Sequence, residues 1–188
     1  MVKMFIVIEG DNGTGKTTTA HLLAQYGYRF ITEDTKIKYY ENHAKTFSVG
    51  SSERFHQFLL YNHICAEAVE EKGNFLLARY WISTITAAYA DGLFDLDTAL
   101  AYAQELNKTM KKPDHIFILS CDMAVRIPRI NTRNGEAKEL SDDISEIRAE
   151  KYRKMLNILA QQIDCLYKID TTNMTPEQVT EKILAVMR

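Results

Sequence analysis

The stretch Phe5 to Thr17, FIVIEGDNGTGKT, constrains the fold more than any other part of the chain. Phe5-Ile6-Val7-Ile8 is a short, mostly β-branched apolar run, the pattern of a parallel strand buried on both faces. Gly10 through Thr17 then match G-x-x-x-x-G-K-[ST], and the residues that follow, up to Gly27, read as a helix. Glycines at 10, 13 and 15 let the backbone curl so that several N–H groups point inward, and the helix start adds its own positive end. The result is an anion cradle that takes in Asn12, Gly13, Thr14, Gly15, Lys16, Thr17 and Thr18. Lys16 is expected to reach the β- and γ-phosphates of a nucleotide, and the Thr17 hydroxyl to ligate Mg²⁺.

The rest of the chain narrows the ligand. A length of 188 residues fits one domain with a substantial core, so residues 1–188 are read as a single unit. A formal net charge of −2 gives no bulk attraction to nucleic acid or an acidic membrane, which leaves a small molecule as the partner. Cys65, Cys121 and Cys165 are widely spaced, odd in number and without a C-x-x-C pair, and the five histidines form no H-E-x-x-H pair. They read as reduced core thiols of a cytoplasmic protein. No apolar run approaches a membrane span, and no signal peptide precedes the first strand.

Strands alternate with helices along the sequence. YRFIT (28–32), NFLLA (74–78), HIFILSC (115–121) and CLYKID (165–170) follow the first strand, with helices expected at 51–71, 83–90, 97–110 and from Ser141 or Asp142. Thr175-Pro176-Glu177-Gln178 is a capping box that opens a terminal helix. Residues 33–50 are polar and lack clear periodicity, which predicts a connection able to move over a ligand, and 126–140 predicts a mobile lid. This order implies an α/β fold: a five-stranded parallel sheet flanked by helices on both faces, with ligands at the carboxyl ends of the strands. Candidate chemistry then collects at 10–18, 33–35, Arg79–Tyr80 and Asp122.

Taken together, FIVIEGDNGTGKTT, ARYWIST after the third strand, KKPDHIFILSCD around the fourth, RINTRNG in the lid and KIDTTNMTPEQV near the end resemble the thymidylate kinase family. The resemblance runs over most of the chain and implies a P-loop NTPase-like fold, ATP as phosphoryl donor, Mg²⁺, a nucleotide acceptor and a homodimer. It implies that Arg79 clamps the acceptor phosphate, for which a planar guanidinium is suited because it donates two parallel hydrogen bonds. It also places Tyr61 at an aromatic base-stacking position, Asn12 near the sugar 3′-hydroxyl, and Thr84 toward the base.

The chain departs from the family pattern at several points. Ala78 stands where an Asp usually precedes the clamping Arg, which leaves Glu9, Glu33 and Asp122 as candidates to help organise Mg²⁺. Asn12 replaces an Asp, Cys65 replaces the Arg that reads thymine, and Tyr89 lies two positions beyond the family's tyrosine. With Gly13 and Thr14 where some members carry a loop Arg, the task of supplying transition-state charge falls to Arg129 and Arg133. The expected reaction is transfer from ATP to dTMP or a related pyrimidine deoxynucleoside monophosphate. Two other readings stay open: a deoxynucleoside kinase using Glu33 as base toward a 5′-hydroxyl, and a nucleotide-binding regulatory protein with little catalysis.

Overall fold

Strand β1 (Met4–Gly10) is buried from Phe5 onward and forms the centre of the molecule. The computed structural model describes residues 4–70, 72–134 and 146–187. Its other elements are α1 (Lys16–Ala24), β2 (Tyr28–Phe30), α2 (Thr35–Lys45), α3 (Ser52–Glu67), β3 (Asn74–Ala78), α4 (Trp81–Ala90) and α5 (Leu96–Thr109). Then come β4 (His115–Ser120), α6 (Met123–Asn134), α7 (Glu146–Gln162), β5 (Leu166–Asp170) and α8 (Pro176–Val186). All five strands pair in parallel, in the order β2-β3-β1-β4-β5.

Alternation along the strands sorts the core into two layers. Phe5, Val7, Phe75, Leu77, Ile116 and Ile118 join the layer under α3, α4, α5 and α7. Ile6, Ile8, Leu76, Phe117, Leu119 and Ile169 face the other way, onto Ala20 and Leu23 of α1 and Val179 and Ile183 of α8. Asp114 fastens β1 to the start of β4: its carboxylate accepts from Phe5 N at 2.6 Å and its own N–H donates to Phe5 O at 2.7 Å. The aspartate before the fourth strand thus has a structural task. Thr175 and Gln178 form the capping box expected of α8.

Four expectations are corrected. Ile31–Glu33 form a 3₁₀ turn, so the second strand ends at Phe30 instead of Thr32. The segment 33–50 contains the helix α2, which Asp34 caps by accepting from Lys36 N at 3.0 Å. Its buried residues are only Ile37 and Ala44, too sparse a pattern to show as periodicity. Helix α3 stops at Glu67, short of 71. The first part of the proposed lid, 126–134, belongs to α6, which continues through Pro128; residues 135–140, and the expected helix start at Ser141 or Asp142, lie outside the described residues.

Candidate active site

Because β1 lies between β3 and β4, the loops leaving β1 and β3 sit side by side. Ile8 pairs with Ala78 and Gly10 with Leu119. Gly10 has φ 131°, and a Cβ there would fall 2.2 Å from Leu119 O, so no other residue fits this exit from the strand. Thr14 Oγ1 and Lys16 Nζ both donate to Asp11 O, at 2.8 and 2.6 Å, which folds the loop over on itself. From the far side Thr171, just after β5, donates to Thr14 O at 3.2 Å. Thr17 is exposed at the start of α1.

Arg79 leaves β3 with φ 77°, in the left-handed region that disfavours residues with a Cβ. Its N–H donates to Ile8 O at 2.9 Å, and its guanidinium Nη2 donates to the Asn12 side-chain oxygen. Beneath this turn lies Glu9, fully buried, accepting from Tyr80 N at 2.9 Å, from Ser83 N at 3.3 Å and from the Ser83 hydroxyl. Burial pushes its carboxyl up to about 7, against the lowering effect of Ser83 and Arg79. Glu9 therefore ties the first turn of α4 to β1 and holds the backbone that presents Arg79.

A cleft of about 1500 Å³ runs over these loops. Asn12, Gly13, Thr14, Gly15, Lys16, Thr17, Thr18, Tyr61, Arg79, Thr84 and Arg129 all line it. Glu33 does not: at the 3₁₀ turn it pairs with Lys38 at 3.2 Å and lies 3.9 Å from His21. Arg133 falls within α6, its side chain outside the described residues. Arg129 donates through long hydrogen bonds to Cys121 Sγ at 3.5 Å and Thr171 O at 3.4 Å, beside the loop rather than across it.

The acceptor end is wide and mixed in polarity. Tyr61 is only 3% exposed, whereas Phe58, one turn earlier and ring-to-ring with it at 6.3 Å, is half-buried and stacks against Arg54. Cys65 is wholly buried next to Tyr61, with its thiol pushed up to about 12 by burial, and does not line the cleft among the described residues. Asn62, missed in the sequence, is 1% exposed, lines the cleft and donates to Thr84 Oγ1 at 2.7 Å. Its spacing from Tyr61 marks it only as one more residue of α3, so nothing in the sequence singled it out.

For Mg²⁺ the side chains offer little beyond Thr17. Glu9 is engaged under α4, Glu33 is paired outside the cleft, and Asp122 is exposed with its carbonyl capping α6 through Val125 N and Arg126 N. No cluster of three or more metal-ligating side chains occurs among the described residues. This donor set suits an ion that keeps several waters and takes its remaining ligands from phosphate oxygens.

A family model described as thymidylate kinase matches residues 8–183. The thymidylate kinase of Leptospira interrogans serogroup Icterohaemorrhagiae serovar copenhageni is 30% identical over 166 residues, 80% of this chain and 78% of that protein. Among solved structures, the thymidylate kinase of Candida albicans superposes with a TM-score of 0.72 at 20% identity, over 98% of this chain and 91% of that one. Deoxyadenosine kinase of M. mycoides with bound dATP gives 0.68 at 16% identity, over 99% of both chains, so the fold is common to kinases of both kinds of acceptor. The match across nearly the whole chain, together with a phosphate loop facing an arginine at the end of β3, places this protein in the thymidylate kinase family.

Proposed function

We propose that this enzyme transfers the γ-phosphoryl of ATP to dTMP or a related pyrimidine deoxynucleoside monophosphate, forming the diphosphate. The observation that carries the reading is Arg79, held in a strained backbone conformation over Asn12, the first residue of the cradle that would hold the donor. Phosphoryl transfer between two anions asks chiefly for alignment and charge neutralisation. Lys16 and the inward N–H groups hold the donor phosphates, Arg79 the acceptor phosphate, and Arg129 with Arg133 bring positive charge from α6. Thr17 would hold Mg²⁺, which would supply further charge neutralisation to the donor phosphates. A homodimer and a cytoplasmic location belong to the same reading; no helix of the described residues is long and apolar enough to cross a membrane.

On the acceptor side, Phe58 and the margin of Tyr61 offer the apolar face for the base, and the Asn62–Thr84 pair offers its edge both a donor and an acceptor. An amide paired with a hydroxyl serves in either orientation, since the hydroxyl donates or accepts as required. A site that depends on a single charged donor rejects the wrong base far more strongly. Steady-state assays with ATP and a panel of dTMP, dUMP, dCMP and the matching nucleosides test this. The expected result is turnover of all three monophosphates with kcat/KM values within about 10-fold of one another, and little turnover of nucleosides. A preference for dTMP of a thousandfold would mean that another residue reads the base, and turnover of no monophosphate would overturn the function itself.

A further inference from the structure

Arg126, in the first turns of α6, is 3% exposed, and Asp11 is 7% exposed. Its Nη2 lies 2.7 Å from Asp11 Oδ2, and its Nε donates to Asn12 O at 2.8 Å. The second Asp11 oxygen accepts from Asn12 N at 2.8 Å, while the Asp11 carbonyl is the point on which Thr14 and Lys16 converge. One turn along α6, Ile130 packs so closely on the loop tip that a Cβ at Gly13 would come within 2.9 Å of its Cγ1 and 3.0 Å of Arg126 O. Two arginines thus clasp adjacent loop residues: Arg126 holds Asp11 and Asn12 from α6, and Arg79 holds the Asn12 side chain from β3.

We propose that Arg126 is a positioning residue, which locks the tip of the phosphate loop to α6 so that the donor cradle, Arg129 and the acceptor clamp Arg79 move as one unit. Arg126 does not line the cleft among the described residues and acts through Asp11 and Asn12. The function follows from geometry: α6 carries Arg129, and a small displacement of that helix relative to the loop separates the transferring group from the charge meant to stabilise it. An ordinary buried ion pair would hold α6 in place without setting the rate. Here the partners of Arg126 are two consecutive residues of the loop that binds phosphate.

Removing one partner alone strands a buried charge. The informative variant is therefore Asp11→Asn/Arg126→Gln, which removes both charges while leaving amides able to hydrogen-bond, alongside Arg126→Lys, which keeps the charge but not the forked geometry. The expected result for the folded double variant is a loss in kcat of about 30- to 100-fold, an acceptor KM within about 3-fold of wild type, and ADP binding weakened about 10-fold in calorimetry. Arg126→Lys is expected to recover part of the kcat. The ADP measurement needs no acceptor, so it judges Arg126 even if wild type binds ADP and phosphorylates no monophosphate, an outcome that would sink the proposed reaction only. Wild-type kcat and ADP affinity in the folded double variant would overturn the proposal, as would losses that vanish on correction for the unfolded fraction. If the double variant does not fold, Arg126→Lys with unaltered kcat and ADP affinity overturns it equally.

Discussion

At Arg79 the chain gives up local stability for placement. A side chain at φ 77° costs on the order of 1 kcal/mol that glycine does not incur. Two variants separate backbone from side chain. Arg79→Ala and Arg79→Gly both lose the guanidinium and both should lose at least about a hundredfold in kcat/KM for a monophosphate. Urea unfolding should nevertheless find Arg79→Gly more stable than Arg79→Ala by about 1 kcal/mol, because only the alanine keeps the Cβ in the left-handed region. Equal stabilities would mean that the turn relaxes and that the strain is not held by the surrounding structure. The sequence identified Arg79 through its neighbours Tyr80 and the strand before it; the sign of φ could not be read there, since arginine gives no hint of it. Asn62 and Arg126 were illegible for a related reason: each acts through a contact with a distant element, Thr84 in one case and Asp11 in the other.

Among elements, those with an unbroken apolar pattern were legible, and those built on sparse burial were not. β1, β3 and β4 are buried almost throughout and fell where the apolar runs put them. Helix α2 buries two side chains, and α6 contains Pro128, which normally marks a helix end. The basic, polar stretch from Arg126 predicts a mobile lid, whereas Arg126, Arg129 and Ile130 lie at i, i+3 and i+4 on a helix whose packing onto the phosphate loop overrides the proline. Glu9 is the fastening between elements, joining the end of β1 to the N-terminus of α4. Its carboxyl titrates near 7 in the folded protein against 4.5 when unfolded, so between these values the native state holds the extra proton. Stability is thereby lost as pH rises through about 7, by on the order of 3 kcal/mol for a shift of this size. Glu9→Gln lacks this titration. Denaturant unfolding between pH 5 and pH 8 should show the variant gaining that amount relative to wild type; a difference independent of pH would place the Glu9 titration elsewhere.

At the scale of the whole molecule, the strand order brings the cradle after β1 and the clamp after β3 to one edge, and α3 and α4 line the cleft over them. This much was implied by alternating strands and helices, since a doubly covered parallel sheet places loops of neighbouring strands together. The topology does not choose between kinases, because a deoxyadenosine kinase superposes nearly as well as a thymidylate kinase. The choice lies in which group faces the acceptor: Arg79 lines the cleft, and Glu33 is engaged with Lys38 and His21 outside it. An acceptor that already carries a phosphate needs a cation and no general base, whereas a hydroxyl acceptor gains from a carboxylate. The decisive measurement is kcat/KM of wild type, Arg79→Ala and Glu33→Gln on dTMP and thymidine in parallel. The account predicts efficient use of dTMP, a loss of about a hundredfold or more for Arg79→Ala, and a change of less than about threefold for Glu33→Gln. Efficient phosphorylation of thymidine by wild type, with Glu33→Gln reduced by about 10²- to 10⁴-fold, would contradict it.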